Sequence, residues 1–336
     1  MNILAIETSC DETAAAVSQD GRKILADVVY SQADMHALYG GVVPEIASRK
    51  HIEKISLVAD EALRRAGIQR GQIDAVAATY APGLIGALLV GANFAKACAQ
   101  ALGVPFIPVH HIRGHIAANY VAFPQLEPPF LALVASGGHT ILADVADYTQ
   151  IKLLGTTRDD AAGEAFDKIA RTLGLPYPGG KAMDELAQKG DPACYPMPQA
   201  HLSGNPLDFS FSGLKTAAIN QIHNAKQKGE TICREDLAAA VCQAVAQAIV
   251  PRMMEAAKQT GRRILVAAGG VAANRVLRQQ LQSRAEQQGM TLYLPPLSLC
   301  GDNGSMIACQ AYYEYQAGHT AGLEQNCFAT LSIEEE

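Results

Sequence analysis

The sequence predicts an α/β protein built from two similar halves, and three observations support this fold class. The chain has 336 residues, which suffices for about two domains. Hydrophobic residues make up 49% of it and charged residues 18%, a composition that excludes a disordered or coiled-coil chain. Apolar runs typical of strands alternate with segments of helical periodicity, and their order is the same in both halves.

The first half begins with three predicted strands. Residues 2–30 contain an apolar strand, a polar loop, a second strand, a turn at Asp20-Gly21 and a third strand. Residues 74–103 contain a strand, a Pro-Gly turn and a long apolar helix, and a further helix is expected near 45–66. We therefore expect this half to start with a meander of strands and to end with a strand, a turn and a helix.

The second half repeats this order. Residues 130–156 again contain a strand, a polar loop, a strand, a turn and a strand. Residues 263–289 contain a strand, a Gly-Gly turn and an amphipathic helix. A diverged internal repeat explains the match, with two α/β domains facing each other across a cleft. The alternative is two generic α/β domains whose likeness is due to chance.

The proline-rich residues 124–129 mark the boundary between the halves. We expect a first domain over 1–128 and a second over 129–302. The second domain carries extra material over about 160–260, which is helical in composition. A C-terminal helix over about 303–325 is expected to pack back on the first domain.

Charge and cysteine content narrow the function classes. The formal net charge is −6, whereas a protein that binds nucleic acid by itself usually has a basic surface, so a local patch or a partner would have to supply the positive field. The eight cysteines form no CxxC pair, which disfavours a zinc ribbon or disulfide framework and suits a reducing cytoplasm. No membrane span is predicted, and the N-terminus lacks the basic region of a signal peptide.

Three loops that follow apolar strands are candidate phosphate-binding loops. They are residues 7–12, residues 135–139 and residues 269–274. Glycine lets backbone N–H groups approach an anion, and a following helix adds a favourable dipole. The sequence contains neither a P-loop nor a clean Rossmann fingerprint. Each loop alone is more often an ordinary tight turn, but three in matching places favour a nucleotide site in the cleft.

The first of these loops carries two acidic residues, Asp11 and Glu12. Acids at such a position commonly hold a metal or orient a nucleophile, so both are candidate catalytic residues. The alternative is a loop with two solvated carboxylates.

Two histidines and an aspartate suggest a metal site. His111 and His115 are four residues apart, so on a helix they project from one face and can share a metal. The general base of a zincin is missing, because position 112 is Ile. Asp302, expected at a helix N-cap, is a suitable third ligand, and such a set leaves coordination positions open. The alternative is a pair of histidines without a ligand role.

Nine segments occur in order along nearly the whole chain: IETSCDET (6–13), GGVVPEIASRKH (40–51), HHIRGH (110–115), VASGGHT (134–140), DDAAGEAFDK (159–168), YPGG (177–180), DFSFSGLKT (208–216), AAGGVAANR (267–275) and DNG (302–304). Their combination resembles the universal tRNA N6-adenosine threonylcarbamoyltransferase family, formerly described as O-sialoglycoprotein endopeptidases. The short tail and single-module layout are similar to the bacterial form of that family.

The resemblance implies a duplicated actin/Hsp70/sugar-kinase-like (ASKHA) fold with two domains around a nucleotide cleft. It also implies the reaction. The threonylcarbamoyl group moves from threonylcarbamoyl-AMP to N6 of adenosine 37 in tRNAs that read ANN codons, and AMP is released. One divalent metal ion per subunit is implied, iron (Fe²⁺) in the first place and zinc as the alternative, held by His111, His115 and Asp302.

The resemblance further assigns substrate contacts, residue by residue. These positions are Val134, Ala135, Ser136, Gly137, Gly138, Asp167, Gly180, Asp184 and Asn274. Ala135 departs from a close bacterial pattern that often has Ser, and position 184 varies within the family. In the corresponding mechanism Asp11 or Glu12 takes the N6 proton or orients the attack.

The resemblance implies tRNA as a partner, together with an inactive paralogue in a heterodimer and a small P-loop ATPase. The helices near 45–66 and 84–102 are candidates for that interface, although most of 84–102 is better explained as core. Eight cations are candidates for a basic rim that binds tRNA, with scattered surface charge as the alternative. They are Arg158, Lys168, Arg171, Lys181, Lys215, Arg262, Arg263 and Arg275. We expect a cytoplasmic protein without a membrane partner.

Two other function classes stand against the transferase. An ATP-dependent small-molecule kinase of the same fold would use the phosphate loops but would not need His111, His115 and Asp302. A peptidase would need the missing HExxH motif. A non-catalytic partner would be expected to have lost the metal ligands, which are all present here. The sequence therefore favours the transferase.

Overall fold

The computed structural model describes residues 1–335, which form two compact units. Unit 1 contains Met1–Pro128, Val145–Ile151 and the chain from Pro295 onward. Unit 2 contains Pro129–Asp144 and Lys152–Leu294. Each unit has its own sheet and its own hydrophobic core.

The units differ from the expected domains in two places. Unit 2 ends at Leu294 rather than at 302, and residues 145–151 belong to unit 1. The second difference has a packing cause, because Tyr148 stacks on Tyr313 with ring centroids 3.9 Å apart. The two tyrosines are distant in the chain, so local sequence patterns carry no signal of this contact.

Within the described residues the chain forms ten strands and ten α-helices. The strands are β1 (Asn2–Glu7), β2 (Glu12–Gln19), β3 (Lys23–Ser31), β4 (Ala75–Ala81), β5 (Phe106–His110), β6 (Phe130–Ala135), β7 (Thr140–Val145), β8 (Ile151–Thr156), β9 (Ile264–Ala268) and β10 (Thr291–Tyr293). The helices are α1 (Ala33–Ala37), α2 (Pro44–Ala66), α3 (Ile85–Leu102), α4 (His111–Ala122), α5 (Ala162–Thr172), α6 (Gly179–Ala187), α7 (Ser212–Lys228), α8 (Arg234–Thr260), α9 (Arg275–Gln287) and α10 (Gly304–Gln316).

The sheet of unit 1 has the strand order β3-β2-β1-β4-β5. β1 pairs antiparallel with β2 and parallel with β4, and β4 pairs parallel with β5. Alternate residues of β1 point to opposite faces, as the pleat requires. Leu4 and Ile6 join the core under α2 and α3, while Ile3 and Ala5 join the core under α4 and α10. Helices therefore cover both faces of the middle strand.

The sheet of unit 2 has the order β10-β9-β6-β7-β8. This is the order of unit 1 read from the other end, with β6 in place of β1 and β9 in place of β4. β6 pairs parallel with β9, and β9 with β10. The predicted α/β class and the two-fold repetition of its elements are confirmed. Helices α5 to α8 lie between β8 and β9, and α8 fills the core with side chains such as Val241 and Ile249.

The last helix, α10, is shorter than the expected range of 303–325. It ends at Gln316, because Gly318 adopts a left-handed conformation with φ +85°. The Gly318 N–H then bonds to the carbonyl oxygen of Tyr315 at 3.0 Å. The chain beyond this glycine continues without a helix along unit 1.

Two helices, α3 and α8, are long and apolar enough to cross a membrane by length and composition alone. Most of α8 is buried inside unit 2, and α3 packs one side on β4 while Ile85 and Leu89 are exposed. Core helices meet the same two criteria, so this finding is weak support for a membrane span.

Candidate functional site

The junction between β5 and α4 places two histidines side by side. His110 ends β5, and its Nδ1 accepts a hydrogen bond from the backbone N–H of Ile112 at 3.2 Å, which caps α4. His111 and His115 follow on one face of the helix, with ring centroids 4.6 Å apart. Both side chains are buried. The structure therefore brings the two imidazoles together.

Asp302 completes a group of three potential ligands. Its Oδ1 lies 3.2 Å from Nε2 of His115 and 3.6 Å from Nε2 of His111. One ligand atom of each residue lies within 4.8 Å of the other two. A single divalent ion with metal–ligand bonds of about 2.0–2.2 Å holds its donors at separations of this size.

Close packing of α10 on α4 brings Asp302 to the histidines. A Cβ at Gly114 would lie 2.7 Å from the end of the Ile307 side chain, which would have to shift, so a glycine here favours this approach. Asp302 is not the N-cap that the sequence predicts. The N-cap is Asn303, whose side-chain oxygen accepts the N–H of Met306 at 2.9 Å. The Asp302 carboxylate is thereby left out of capping and lies beside the histidines.

Asp27 on β3 holds the start of α10. Its carboxylate accepts the backbone N–H groups of Gly304 at 3.2 Å and Ser305 at 3.0 Å, and it also accepts the Ser305 hydroxyl. These bonds satisfy N–H groups that a helix leaves unpaired in its first turn. Asp27 thus fixes the backbone just after Asp302. Sequence reasoning missed it, because an acid on a strand carries no local sign of a partner at the other end of the chain.

Glu7, at the end of β1, lies behind His111. Its Oε2 is 3.1 Å from Nδ1 of His111, and the Ser9 hydroxyl oxygen is also 3.1 Å from that nitrogen. Glu7 itself accepts the Thr79 hydroxyl at 2.5 Å and the backbone N–H of Ser9. In a neutral imidazole, a carboxylate at Nδ1 keeps the proton there and leaves the Nε2 lone pair for a metal, which is the usual arrangement of a metal-bound histidine.

The carboxylates around His111 change its ionisation. Burial by itself lowers the pKa of His111, but Asp302 and Glu7 outweigh burial and raise this pKa to about 9. Burial likewise raises the pKa of Glu7, but His111 more than compensates and leaves it below its ordinary value. The surroundings therefore favour a positive charge at this position. Sequence reasoning missed Glu7, although an acid directly after a buried strand is a usable signal.

His115 has no second partner comparable to Glu7. Its side chain is 1% exposed, and neither ring nitrogen makes a hydrogen bond to any part of the chain that the structure describes. The 3.2 Å approach of Nε2 to Asp302 lacks hydrogen-bond geometry. A buried polar atom without a partner costs about 1–3 kcal/mol, and coordination of a metal would remove that cost. The residues at this site therefore fit a divalent metal ion.

Of the two predicted catalytic acids, Asp11 lies in the loop between β1 and β2, and Glu12 is the first residue of β2. Asp11 is buried, and Glu12 accepts the Ser31 hydroxyl at 2.9 Å. Burial, together with the charges of Asp11 and Asp302, raises the pKa of Glu12 to about 9. The carboxyl group of Glu12 is thus close enough to those of Asp11 and Asp302 to be influenced by them, and at neutral pH its raised pKa keeps Glu12 protonated.

In unit 2 the two predicted glycine loops, residues 135–139 after β6 and residues 269–274 after β9, lie against each other. Residues 134–138 span the end of β6 and the loop to β7. Gly269 has φ +89°, and a Cβ there would lie 2.4 Å from the carbonyl oxygen of Ala135. A Cβ at Gly163, in the first turn of α5, would lie 2.4 Å from the carbonyl oxygen of Ser136. Only glycines allow these approaches, and they set a helix N-terminus beside the loop, a favourable place for an anion.

Three of the predicted substrate contacts hold helix N-termini in unit 2. Asp167 accepts the N–H of the first residue of α6 at 2.7 Å, and Asp184 accepts that of the first residue of α9 at 2.8 Å. Asn274 is the N-cap of α9 and accepts the N–H of its third residue at 3.0 Å. Gly180 is the second residue of α6, with open space where a Cβ would point. These side chains therefore have a structural role in addition to any contact with a substrate.

The cations expected to form a basic rim are mostly paired with acids. Five of the eight make ion pairs, with N···O distances from 2.5 to 3.4 Å: Arg158–Asp208, Lys168–Asp160, Lys215–Asp160, Arg262–Asp144 and Arg275–Asp184. Paired charges attract a polyanion less than free ones do. Ion pairing therefore lowers the net positive charge of these five side chains, and the basic rim stays a prediction.

The chain is similar to one known protein family over most of its length. The family described as tRNA N6-adenosine threonylcarbamoyltransferase matches residues 23–309 of the chain. A protein of that name from Moorella thermoacetica is 53% identical over 332 residues, with 99% of this chain and 97% of the relative covered. Another of that name, from Clostridioides difficile, is 46% identical, with 99% and 98% covered.

Solved structures share the fold at low sequence identity. HypF in its phosphate- and nucleotide-bound form has a TM-score of 0.60 and 14% identity, covering 97% of this chain and 47% of that one. Component A of the (R)-2-hydroxyglutaryl-CoA dehydratase of Acidaminococcus fermentans has a TM-score of 0.55 and 17% identity, covering 94% and 98%. These likenesses concern the fold alone, and they confirm the predicted actin/Hsp70/sugar-kinase-like class.

Proposed function

This chain belongs to the tRNA N6-adenosine threonylcarbamoyltransferase family, and from that premise we propose that it transfers threonylcarbamoyl from threonylcarbamoyl-AMP to N6 of adenosine 37 in tRNAs that read ANN codons, releasing AMP. The chain is accordingly a transferase of tRNA modification. The observation that carries the proposal is the group formed by His111, His115 and Asp302, which could hold a metal ion in a chain of this family.

One divalent ion is held by these three residues in our proposal, with iron preferred and zinc as the alternative. Two imidazoles and a carboxylate suit either metal and leave coordination positions open. When bound, such an ion supplies positive charge that stabilises a developing oxyanion. The chain contributes the orientation of the ligands, because Glu7 and Ser9 fix the ring of His111 from behind.

The transfer step has a simple balance of atoms. The N6 nitrogen of adenosine forms a bond to the threonylcarbamoyl carbonyl carbon, and the bond from that carbon to the phosphate oxygen breaks. AMP leaves with the electron pair of the broken bond, and N6 loses one proton. We assign the acceptance of this proton, or the orientation of the attack, to Asp11 or Glu12, since Glu12 interacts electrostatically with both Asp11 and Asp302. With a pKa of about 9, Glu12 holds its proton at neutral pH, so orientation of the attack is the role that fits Glu12.

The AMP part of the donor is assigned to unit 2. Residues 134–138, with Gly180 and Asn274, would contact it, and Asp167 and Asp184 hold the helices around it. Support comes from the close approach of the two glycine loops to the N-terminus of α5. Held in this way, the leaving group stays aligned for departure.

We propose that tRNA binding requires partner proteins. The chain carries a formal charge of −6, and five of the eight expected RNA-binding cations are paired with acids. An inactive paralogue and a small P-loop ATPase would supply the missing positive surface. The face of α2 and α3 that exposes Ile52, Leu57, Ile85 and Leu89 is the proposed docking face for the paralogue.

A transfer assay tests the proposal. The purified chain, the two partner proteins, threonylcarbamoyl-AMP and unmodified tRNA are incubated, and the digested nucleosides are analysed by mass spectrometry. We expect threonylcarbamoyladenosine with the native chain, and a loss of about 10³-fold or more with His111→Ala, because several kcal/mol of charge stabilisation disappear.

Two controls accompany this assay. His201→Ala alters an exposed histidine outside the site and should keep full activity. A transcript with guanosine at position 37 should receive no group. Absence of product from the complete mixture would overturn the proposed reaction, and product from the guanosine transcript would overturn the proposed target.

A further inference from the structure

The chain beyond α10 runs along unit 1 as an extended segment that we term the C-terminal strap, residues 319–335. Main-chain groups of the strap bond to successive parts of unit 1. The bonds are Ala321 N–H to the Phe106 carbonyl at 3.0 Å, Phe328 N–H to the Tyr80 carbonyl at 2.9 Å, and Gly83 N–H to the Ala329 carbonyl at 3.2 Å. Lys96 on α3 also donates to the carbonyl oxygens of Leu323 and Gln325, at 3.1 and 3.0 Å. The strap thus has a defined path.

The end of the strap is bonded to the helix that carries the histidines. Nε2 of His110 lies 3.3 Å from the carbonyl oxygen of Leu331. The guanidinium of Arg113 donates twice to the carbonyl oxygen of Ile333, from Nε at 3.1 Å and from Nη2 at 2.9 Å. Arg113 is 4% exposed, so its charge is removed from water. Burying a charged guanidinium costs free energy, so the bonds that Arg113 makes inside the protein must offset the loss of its contacts with water.

Arg113 also connects the two helices that bear the proposed ligands. Its Nη1 lies 3.3 Å from Oε1 of Glu314 on α10, and both side chains are 5% exposed. Glu314 in turn accepts Gln310 at 2.7 Å and contacts His319 at 2.7 Å. Because α4 carries the two histidines and α10 begins just after Asp302, this buried pair sets the relation of one ligand-bearing element to the other.

The strap reaches His111 by a second route. Its Ala329 carbonyl holds Gly83, and a Cβ at Gly83 would lie 2.6 Å from the carbonyl oxygen of Ser9. The neighbouring Leu84 N–H bonds to the same oxygen at 2.8 Å. The Ser9 hydroxyl then lies 3.1 Å from Nδ1 of His111. The strap therefore supports His111 both through α4 and through the loop behind its ring.

We propose that the C-terminal strap and Arg113 are positioning elements of the metal centre, which hold His111 and His115 at the spacing that a divalent ion requires. This inference rests on the proposed metal site and goes further, because it assigns a metal-affinity role to residues that do not touch the ion. Arg113 acts through its bonds to Ile333 and Glu314.

The test is titration of the metal-free chain with Co²⁺ alone, followed by its visible absorption. One variant ends after Thr330 and loses the carbonyls of Leu331 and Ile333. A second, Arg113→Lys, keeps the charge but loses the two-fold donation. We expect each to bind Co²⁺ about 10-fold or more weakly and with an altered spectrum, the effect typical of residues that orient metal ligands.

Two control variants and one stability measurement separate positioning from simple stabilisation. A chain ending after Glu334 keeps both carbonyls, and Gln100→Ala changes an exposed side chain of α3, so both should bind Co²⁺ as the native chain does. Each variant is also unfolded by denaturant. A lower unfolding midpoint with native Co²⁺ affinity and spectrum would overturn the inference. If the truncated chain does not fold, the Co²⁺ affinity and spectrum of Arg113→Lys decide the test. A native chain that binds no Co²⁺ would instead overturn the proposed metal site.

Discussion

The two units share one strand order but place different residues at the ends of their strands. In unit 1, Glu7 ends β1, Asp11 follows in the next loop and His111 follows β5, so carboxylates and potential metal ligands gather there. After β6 and β9, unit 2 places Gly137 and Gly269, so it collects backbone N–H groups. The comparison teaches that a repeated scaffold provides positions, whereas the loop residues decide which chemistry each position can support.

The largest expected effect comes from removing a ligand of unit 1. His115→Ala should lower transfer about 10³-fold and abolish Co²⁺ binding, because His115 supplies one of three donors. Binding of AMP to the same variant, measured by calorimetry, should be unchanged, since we assign AMP to unit 2. A matched histidine on the surface of α7, His223→Ala, should alter neither quantity. Loss of AMP binding in His115→Ala would contradict the separation of roles.

A smaller loss is expected from the carboxylate behind His111. Glu7→Gln should weaken Co²⁺ binding about 10–100-fold, because the acceptor that orients the ring loses its charge. Thr79→Val removes a hydroxyl that donates to Glu7 but keeps the carboxylate, so its effect should be smaller. Equal Co²⁺ affinity in the native chain and Glu7→Gln would show that Glu7 only fills space.

Unit 2 offers a matched pair of neighbouring glycines. Gly269→Ala should destabilise the chain by about 1–3 kcal/mol, because its φ is +89° and a Cβ would meet the Ala135 carbonyl. It should also weaken AMP binding while Co²⁺ affinity stays native. Gly270→Ala has nothing within 4 Å of the new Cβ and should be close to native. Denaturant unfolding and calorimetry provide both measurements, and equal effects of the two variants would argue against the loop contact.

Each unit buries a thiol, which predicts similar behaviour in alkali. Burial raises the pKa of Cys309 in unit 1 and of Cys242 in unit 2 to about 12, against an ordinary value of 9. The raised pKa means that the unfolded chain loses the proton first, so stability falls as pH rises above about 9. At pH 10.5 each thiol should cost about 2 kcal/mol relative to pH 8. Cys309→Ala or Cys242→Ala should make the decline shallower in unfolding experiments, and an unchanged decline would refute the assignment.

The smallest effect is expected at the start of α10. Asp27→Asn keeps the shape of the side chain but removes the charge that faces the first turn, at a cost of about 1 kcal/mol. Since Asp302 precedes this turn, Co²⁺ affinity should fall by a few-fold at most. Asp34→Asn, on the exposed helix α1, is the matched control and should leave both quantities native. A larger loss at Asp34 than at Asp27 would contradict the capping role.

Much of the candidate site can be predicted from short segments of sequence. His111 and His115 are separated by one helical turn, and the end of an apolar strand just before them predicts where α4 begins. The glycines at 137 and 269 are recognisable because a strand ends beside them. By contrast, the N-cap assignment of Asp302 is wrong by one residue, because Asn303 competes for the same role and wins through its bond to Met306.

The amino-acid sequence alone was sufficient for the fold class, the repeated order of elements along the chain and the histidine pair on α4, since these depend on periodicities of two and 3.6 residues that a local window contains. Only the tertiary structure shows that Asp302 meets the histidines, that Glu7 lies behind His111 and that Arg113 holds the end of the chain. It also shows that five of the eight expected cations are paired with acids. These contacts join residues far apart in the chain, and they are decided by how helices and strands pack, which no local pattern encodes.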